Sequence, residues 1–401
     1  MKKIFTFFIT ALCCAAIAFA DNVPTLDSLI RDDVKHGTKL KYVYKYNNQN
    51  LRIEEIILQW DAETSRWQNY YKIVNSYDAN GDVISSIESR WSTEYQNWAN
   101  YYKNECTYSG KGKLSVKTRF DWNTAGGWDN SSKEEYTYDN KGYLISYLKQ
   151  IWEENSWQNN SIEVYTVDSK GNRTNQVFKY WDTNTNNWIN SRESIYSYDA
   201  NSNKTSEYIY YWDQSTNEWR NSDKYEYTYE NNLLQTEIRS TWSTKVSPAQ
   251  YIYYSKSEYS YDEHGNVITA VSFDWNTTIG AWSKRYKNEY TYDADNHQLT
   301  ELGSSWNSET GTWDEARLEE WTYAKEGVRL TFTTKYFNSD TQQFEILETY
   351  TYYYSGLGPQ GIEQPTSDSS LKGRANKVVR DGQLLIERNG KTYNAQGAEM
   401  R

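Results

Sequence analysis

The chain has 401 residues and a net charge of −11; only 37% of it is hydrophobic, yet it carries 18 Trp and 39 Tyr. The acidic balance argues against nucleic acid or anionic lipid as a partner. Of three Cys only Cys106 lies beyond residue 20, which rules out an intramolecular disulfide in a processed chain and leaves packing to supply stability.

Residues 1–20 read as a secretory signal peptide. Lys2 and Lys3 form the basic start, an apolar run follows, and Ala18-Phe19-Ala20 satisfies the small-x-small cleavage rule. Cys13 and Cys14 raise the alternative of a lipoprotein signal, but the residues before them fit a lipobox poorly. Cleavage leaves a net charge of −13, and no later segment is apolar enough to span a membrane as a helix. Residues 21–39 form an N-terminal segment or cap with no pattern of their own.

Residues 40–354 are a repeat. Tyr recurs at Tyr46, Tyr77, Tyr108, Tyr138, Tyr198, Tyr229, Tyr261, Tyr292, Tyr323 and Tyr354 in steps of 29 to 32 residues, with Val167 in the one vacancy. A first Trp follows each Tyr, at Trp60, Trp91, Trp122, Trp152, Trp181, Trp212, Trp275 and Trp306, with Trp242 slipped by one and Phe337 last. A second Trp lies 10 residues before the next Tyr, at Trp67, Trp98, Trp128, Trp157, Trp188, Trp219, Trp282 and Trp313, with Tyr251 and Phe344 as substitutes. Such a period marks a stack of small identical units.

Each unit reads as one β-hairpin. From Trp128 to Tyr138 apolar and polar residues alternate, with Trp128, Tyr136 and Tyr138 on one parity. The even spacing predicts that the second Trp and the following Tyr share a face. Leu114, Val116, Thr118, Phe120 and Trp122 are likewise expected together, as are Val267, Val271, Phe273 and Trp275. Asp/Asn/Gly clusters such as Asp168-Ser-Lys-Gly171 supply the tight turn after Tyr. The other turn joins the two Trp positions and alone varies in length, from a step of five at Trp152–Trp157 to nine at Trp242–Tyr251. Length drift confined to one place marks an exposed loop. The predicted fold is all-β: an antiparallel meander of about ten ~31-residue hairpins, about 20 strands, forming a long twisted, coiled or partly closed sheet.

The stretches Tyr136-Thr-Tyr138-Asp139, Tyr196-Ser-Tyr198-Asp199, Tyr259-Ser-Tyr261-Asp262 and Tyr290-Thr-Tyr292-Asp293 resemble the YD repeat of RHS-type bacterial proteins. That resemblance implies long spiralling antiparallel sheets, some closed as shells. This chain departs from the family in its longer period, its Trp-loop-Trp turn and its lack of a terminal toxin domain.

Residues 355–377 read as a Gly/Pro/Ser-rich linker. Residues 378–401 read as strand, Asn389-Gly390 hairpin, strand. The Asp381-Gly-Gln-Leu384 and Asn389-Gly-Lys-Thr-Tyr393 stretches resemble the C-terminal sorting domains of Bacteroidetes proteins exported by the type IX (Por) system. The resemblance implies that machinery as a partner, although an Asn-Pro motif and a more apolar last strand are missing. The alternative is a hairpin that caps the last repeat.

Conventional catalytic chemistry finds no foothold. His36, His264 and His297 share no metal-ligand spacing, so neither metal nor cofactor is expected. Asp78, Asp139, Asp168, Asp199, Asp262 and Asp293 follow Tyr positions as turn stabilisers rather than as a calcium series. Lys133/Glu135, Lys224/Glu226 and Lys287/Glu289 predict cross-strand charge ladders on a wet face. Carboxylates repeated in every unit do not make a unique catalyst, so no enzyme is expected; Asp314 and Glu315 come nearest to breaking the pattern.

The candidate binding residues are the Trp pairs Trp60/Trp67, Trp91/Trp98, Trp122/Trp128, Trp152/Trp157, Trp181/Trp188, Trp212/Trp219, Trp275/Trp282 and Trp306/Trp313. Lined along one rim they would stack on sugar rings, with Asn69, Asn100, Asn130, Asn159, Asn190 and Asn221 adding hydrogen bonds. The competing reading is a cross-strand aromatic clamp. The expected function is non-enzymatic binding or adhesion by an exported or surface protein with a glycan ligand; the alternatives are a purely structural scaffold and, third, a glycan-degrading enzyme.

Overall fold

The computed structural model describes residues 24–325, 327–355 and 357, and the backbone of 376–380, 383–388, 391–394 and 399–400. The signal-peptide assignment and most of the linker lie outside the described residues. The chain divides into two compact units after Gly356.

The first unit is one antiparallel sheet of 22 strands. It runs from β1 (Thr25–Asp33) and β2 (Thr38–Tyr46) to β22 (Gln343–Ser355). Each strand pairs with the next in sequence. The sheet has no free end, because β22 also pairs with β1, from Thr25 opposite Ser355 to Asp33 opposite Glu348. The expectation of an open, coiled or only partly closed sheet is therefore overturned: the meander is a closed barrel. Arg31 and Glu348 form an ion pair across this seam.

Regular bulges account for the curvature. In each Trp-end hairpin the residue three past the second Trp is skipped by the pairing, as at Tyr70, Tyr101, Ser131 and Ser191. Pairings across the Tyr end skip Ile84, Ser115, Ile145 and Ile268 in the same way. A bulge bends its strand and increases the twist. Repeated at two fixed heights, it curls the sheet until its edges meet, and closure removes both unpaired edges. The closing strand β1 belongs to the unpatterned segment ahead of the repeats, so periodicity alone did not reveal it.

The bulges also sort the aromatics. Trp181 faces Trp188 between β11 (Arg173–Asp182) and β12 (Asn187–Tyr198), whereas past the bulge Phe178 faces Arg192. The alternation slips by one, so Trp188 and Tyr198 lie on opposite faces despite their even spacing. The expectation of a shared face is corrected accordingly. Leu114 and Val267, at Tyr-end bulges, leave the face of Trp122 and Trp275 for the same reason. The sheet thus has a Trp face and a Tyr face.

On the Tyr face, hydroxyls tie each turn to the one before. Tyr77 donates to the carbonyl of Arg52 (2.6 Å), Tyr108 to Val83 (2.8 Å) and Tyr292 to Val267 (2.9 Å), with Tyr138, Tyr229 and Tyr323 placed alike. Where an Asp follows the Tyr position of the repeat, it holds its own turn. Asp168 Oδ1 accepts from the amides of Lys170 (2.8 Å) and Asn172 (2.9 Å), while Gly171 takes a φ of 88°.

The strands pack substantially only against their sheet neighbours. Among the described residues Tyr165 and Ile209 are the buried apolar side chains. Closing 22 strands at ~4.8 Å spacing makes a ring roughly 40 Å across, too wide for side chains to fill. Stability therefore resides in the wall, in its ladder hydrogen bonds and side-chain pairs.

The second unit is a four-stranded antiparallel sheet in sequence order: β23 (Asn376–Arg380), β24 (Gln383–Arg388), β25 (Lys391–Asn394) and β26 (Glu399–Met400). The strands β24 and β25 flank Asn389–Gly390 and pair as a hairpin, with a further strand on each side.

Candidate functional site: an aromatic cleft at the Trp end

The register sets each Trp pair directly across its hairpin. Ring centroids lie 5.3 Å apart for Trp60/Trp67, 5.2 Å for Trp91/Trp98, 4.8 Å for Trp122/Trp128 and 5.0 Å for Trp152/Trp157. The separation is also 5.0 Å for Trp181/Trp188, Trp212/Trp219, Trp275/Trp282 and Trp306/Trp313. All are edge-to-face, the arrangement that the ring quadrupole favours. Of these sixteen rings Trp60 is the exposed one, at 37%, and the rest are half-buried.

Lys side chains cover part of what remains. Lys72 lies over Trp98 (4.9 Å), Lys133 over Trp157 (5.4 Å) and Lys256 over Phe273 (4.4 Å) and Trp282 (5.4 Å). Lys133 and Lys256 are each held by a Glu two residues on in the same strand, Glu135 (2.7 Å) and Glu258 (2.6 Å), and the pairing recurs at Lys224–Glu226 (2.7 Å) and Lys287–Glu289 (2.7 Å). The charge pairs expected across strands thus run along them, and Lys133, Lys256 and Lys287 each also reach a ring of the next hairpin. The Asn residues expected on the rim also serve the wall: Asn100 Oδ1 accepts from Ser89 (3.3 Å) and Asn159 Oδ1 from Gln150 (3.1 Å).

A different surface forms where the repeat breaks. The strands β15 (Leu233–Ser243) and β16 (Gln250–Tyr261) are joined by the longest Trp-end loop, and Tyr251 replaces the second Trp. Tyr251 keeps the edge-to-face contact with Trp242, at 5.0 Å. Its hydroxyl is buried with no hydrogen-bond partner among the described residues, and burial pushes its pKa up to about 12. Beside this hairpin opens a cleft of about 830 Å³, walled by Trp242, Tyr253, Tyr254 and Trp275.

Tyr253 packs against Trp275 (5.1 Å) and Trp282 (5.3 Å) yet stays 47% exposed, and Tyr254 is 51% exposed. At the cleft wall Arg285 Nη1 meets Asp274 Oδ1 at 3.1 Å. Hydrogen bonding to Tyr286 and then to Asp274 raises the Arg285 guanidinium above its ordinary pKa. The exposed face of Tyr253 beside Trp275 suits stacking on a sugar ring, which presents C–H faces. Trp275 belongs to the predicted rim; Trp242, Tyr253, Tyr254, Asp274 and Arg285 were missed. Their signal was the nine-residue step from Trp242 to Tyr251.

Other sequence candidates disperse or prove local. Asp314 and Glu315 are successive residues of β20 (Thr312–Tyr323), so they point to opposite faces rather than forming a carboxylate pair. Asp293, Asp295 and His297 converge within one turn, where His297 Nδ1 lies 3.0 Å from Asp293 Oδ2 and the ring stacks on Tyr323. Cys106 is half-buried on the Tyr face. Both faces carry charge at mid-strand, Lys256–Glu258 on one and Arg192–Glu207 on the other. Neither face therefore presents the apolar band of a lipid-embedded barrel, where each charge would cost about 2–4 kcal/mol at the midplane.

No protein-family model matches the chain, and no curated protein matches it. Similar solved structures include a DUF3836 family protein from Bacteroides vulgatus, 25% identical, covering 22% of this chain and 89% of that one with a TM-score of 0.19. A porin-like protein from Bacteroides uniformis is 9% identical and covers 82% of this chain and 97% of that one, with a TM-score of 0.26. A porin-like protein from Bacteroides vulgatus is 10% identical and covers 60% and 98%, with a TM-score of 0.16. These neighbours are Bacteroides proteins. Scores this low carry no argument about fold or function, which rest here on the chain's own geometry.

Proposed function

We propose that this is an exported, surface-associated binding protein that holds a neutral glycan in the Trp-end cleft, without catalysing a reaction. The observation that carries the reading is the exposed Tyr253 ring, packed on Trp275 and Trp282 at the cleft wall. The wider Trp rim supports the binder indirectly, as a row of clamps that keeps the wall rigid around the cleft. Export through the signal peptide and sorting by the type IX machinery through the tail belong to the same proposal.

A glycan-array screen of the full chain, followed by titration of any hit against intrinsic fluorescence, tests it. A saturable hit whose affinity falls about tenfold or more in Tyr253→Ala supports the reading. Absence of any hit removes it. A structural scaffold is the second reading, favoured by the edge-to-face geometry of every Trp pair.

A further inference from the structure

The Tyr ladder has one gap, and a cavity lies there. Where the neighbouring units carry Tyr138 and Tyr198, the strand β10 (Ser156–Val167) ends in Val167. Tyr138 donates to the carbonyl of Leu114 (2.9 Å) and Tyr198 to that of Arg173 (2.7 Å). Val167 has no hydroxyl to offer the equivalent carbonyl of Leu144. The missing ring leaves a cavity of about 490 Å³ on the Tyr face, lined by Val167, Leu144, Tyr143, Tyr198, Arg173 and Lys204 among others. That volume falls within the ~300–1,000 Å³ usual for small-molecule sites.

The lining is shaped and charged. The Tyr143 ring lies against Gly171, so close that a Cβ there would meet it at 2.3 Å. Only Gly at 171 lets this ring form a wall. The Arg173 guanidinium stacks over Tyr165 at 3.8 Å and donates to Gln176 Oε1 at 3.0 Å, with no carboxylate partner among the described residues. Nearby carboxylates are engaged elsewhere: Glu207 with Lys204 (2.9 Å), Glu163 with Tyr165 and Gln176, and Asp168 with its own turn. In a chain of net charge −11, an aromatic-walled cavity with a guanidinium that no described carboxylate neutralises is set apart from the regular wall.

We propose that this cavity binds a carboxylated sugar, with Arg173 gripping the carboxylate and Tyr143 and Tyr198 flanking the ring. A guanidinium fork matches a carboxylate in two parallel hydrogen bonds. The Leu144 carbonyl is placed to accept from a sugar hydroxyl where its counterparts accept from Tyr. The site lies at the Tyr end of the strands, apart from the Trp-end cleft, and stands independently of it.

Calorimetric titration of the full chain with glucuronate, galacturonate, glucose and benzoate tests the proposal. At least one uronate binds saturably and at least about tenfold more tightly than glucose or benzoate. Arg173→Gln weakens that uronate about tenfold or more, and Arg173→Lys falls between the two. Val167→Tyr follows the repeat's own pattern, so it folds, restores the latch to Leu144, fills the cavity and abolishes uronate binding while raising the melting temperature. Uronate binding that survives Val167→Tyr or Arg173→Gln overturns the site, as does the absence of saturable uronate binding. Benzoate binding as tight as the uronate overturns the sugar assignment. Tyr253→Ala separates the two sites, because it weakens a neutral glycan and leaves the uronate titration unchanged.

Discussion

The hydroxyl of Tyr198 donates to the carbonyl of Arg173 at 2.7 Å, joining the end of one hairpin to the start of the strand before it. The same bond recurs from Tyr46 to Leu26 and from Tyr261 to Leu234, so the latch spans the repeat array and reaches into β1. Tyr198→Phe removes the bond and keeps the ring. Its expected effect is a loss of about 0.5–1.5 kcal/mol in denaturant unfolding. An unchanged midpoint would mean that water replaces the bond at no cost.

Closure through β1 makes a strong prediction. Without residues 25–33, β2 and β22 become unpaired edges. Exposed edges invite pairing between chains. The truncated chain is expected to elute as oligomers or aggregate in size-exclusion chromatography, while the intact chain elutes as a monomer. A truncated chain that remains monomeric and folded would contradict the role of this seam.

The clamps predict a stability cost distinct from binding. Trp188→Ala deletes one half of a half-buried edge-to-face pair and is expected to destabilise by about 2–3 kcal/mol, somewhat less than for a fully buried ring. Glycan binding at the cleft should be unchanged. A binding loss without a stability loss would return function to the regular rim.

Tyr251 offers the reverse case. Its hydroxyl is buried without a partner among the described residues. Tyr251→Phe keeps the contact with Trp242 and removes the unsatisfied group, so stability should rise by about 1 kcal/mol in thermal unfolding.

The turn carboxylates set the acid limit. The side chain of Asn172 holds Asp168 below the ordinary carboxylate range, as Asn203 does Asp199 and Asn266 does Asp262. The Ser215 hydroxyl lowers Asp213 furthest, to about 2. A carboxyl whose folded pKa lies below its unfolded value of about 3.9 contributes stability that is complete above that value. The contribution is lost as pH falls toward the folded pKa. Melting temperature should therefore be flat above about pH 5 and fall from about pH 4 downward, with a shallower fall in Asp262→Asn.

Most of the wall was legible in the sequence, because hairpins with fixed aromatic spacing leave a strong period. What escaped was what periodicity hides. A bulge such as Ser191 adds one residue without altering the repeat, so the even spacing of Trp188 and Tyr198 suggested one face where the structure has two. The closing strand β1 shares no pattern with the strands it joins. The candidate sites escaped for a related reason: attention went to the repeated Trp pairs, whereas both cavities open where a unit departs from its neighbours, at Val167 and at the Trp242–Tyr251 loop. In a wall of equivalent units, the irregular unit is the one able to form a singular site.

The central claim is that binding resides in the irregular Trp-end cleft and not along the regular rim. A glycan-array comparison of the full chain with Tyr253→Ala/Tyr254→Ala and with Trp98→Phe tests it most directly. The account predicts a neutral-glycan hit that the double variant loses and Trp98→Phe retains, with melting temperatures within a few degrees of each other. A hit that survives the double variant, or that disappears with Trp98→Phe, would contradict it.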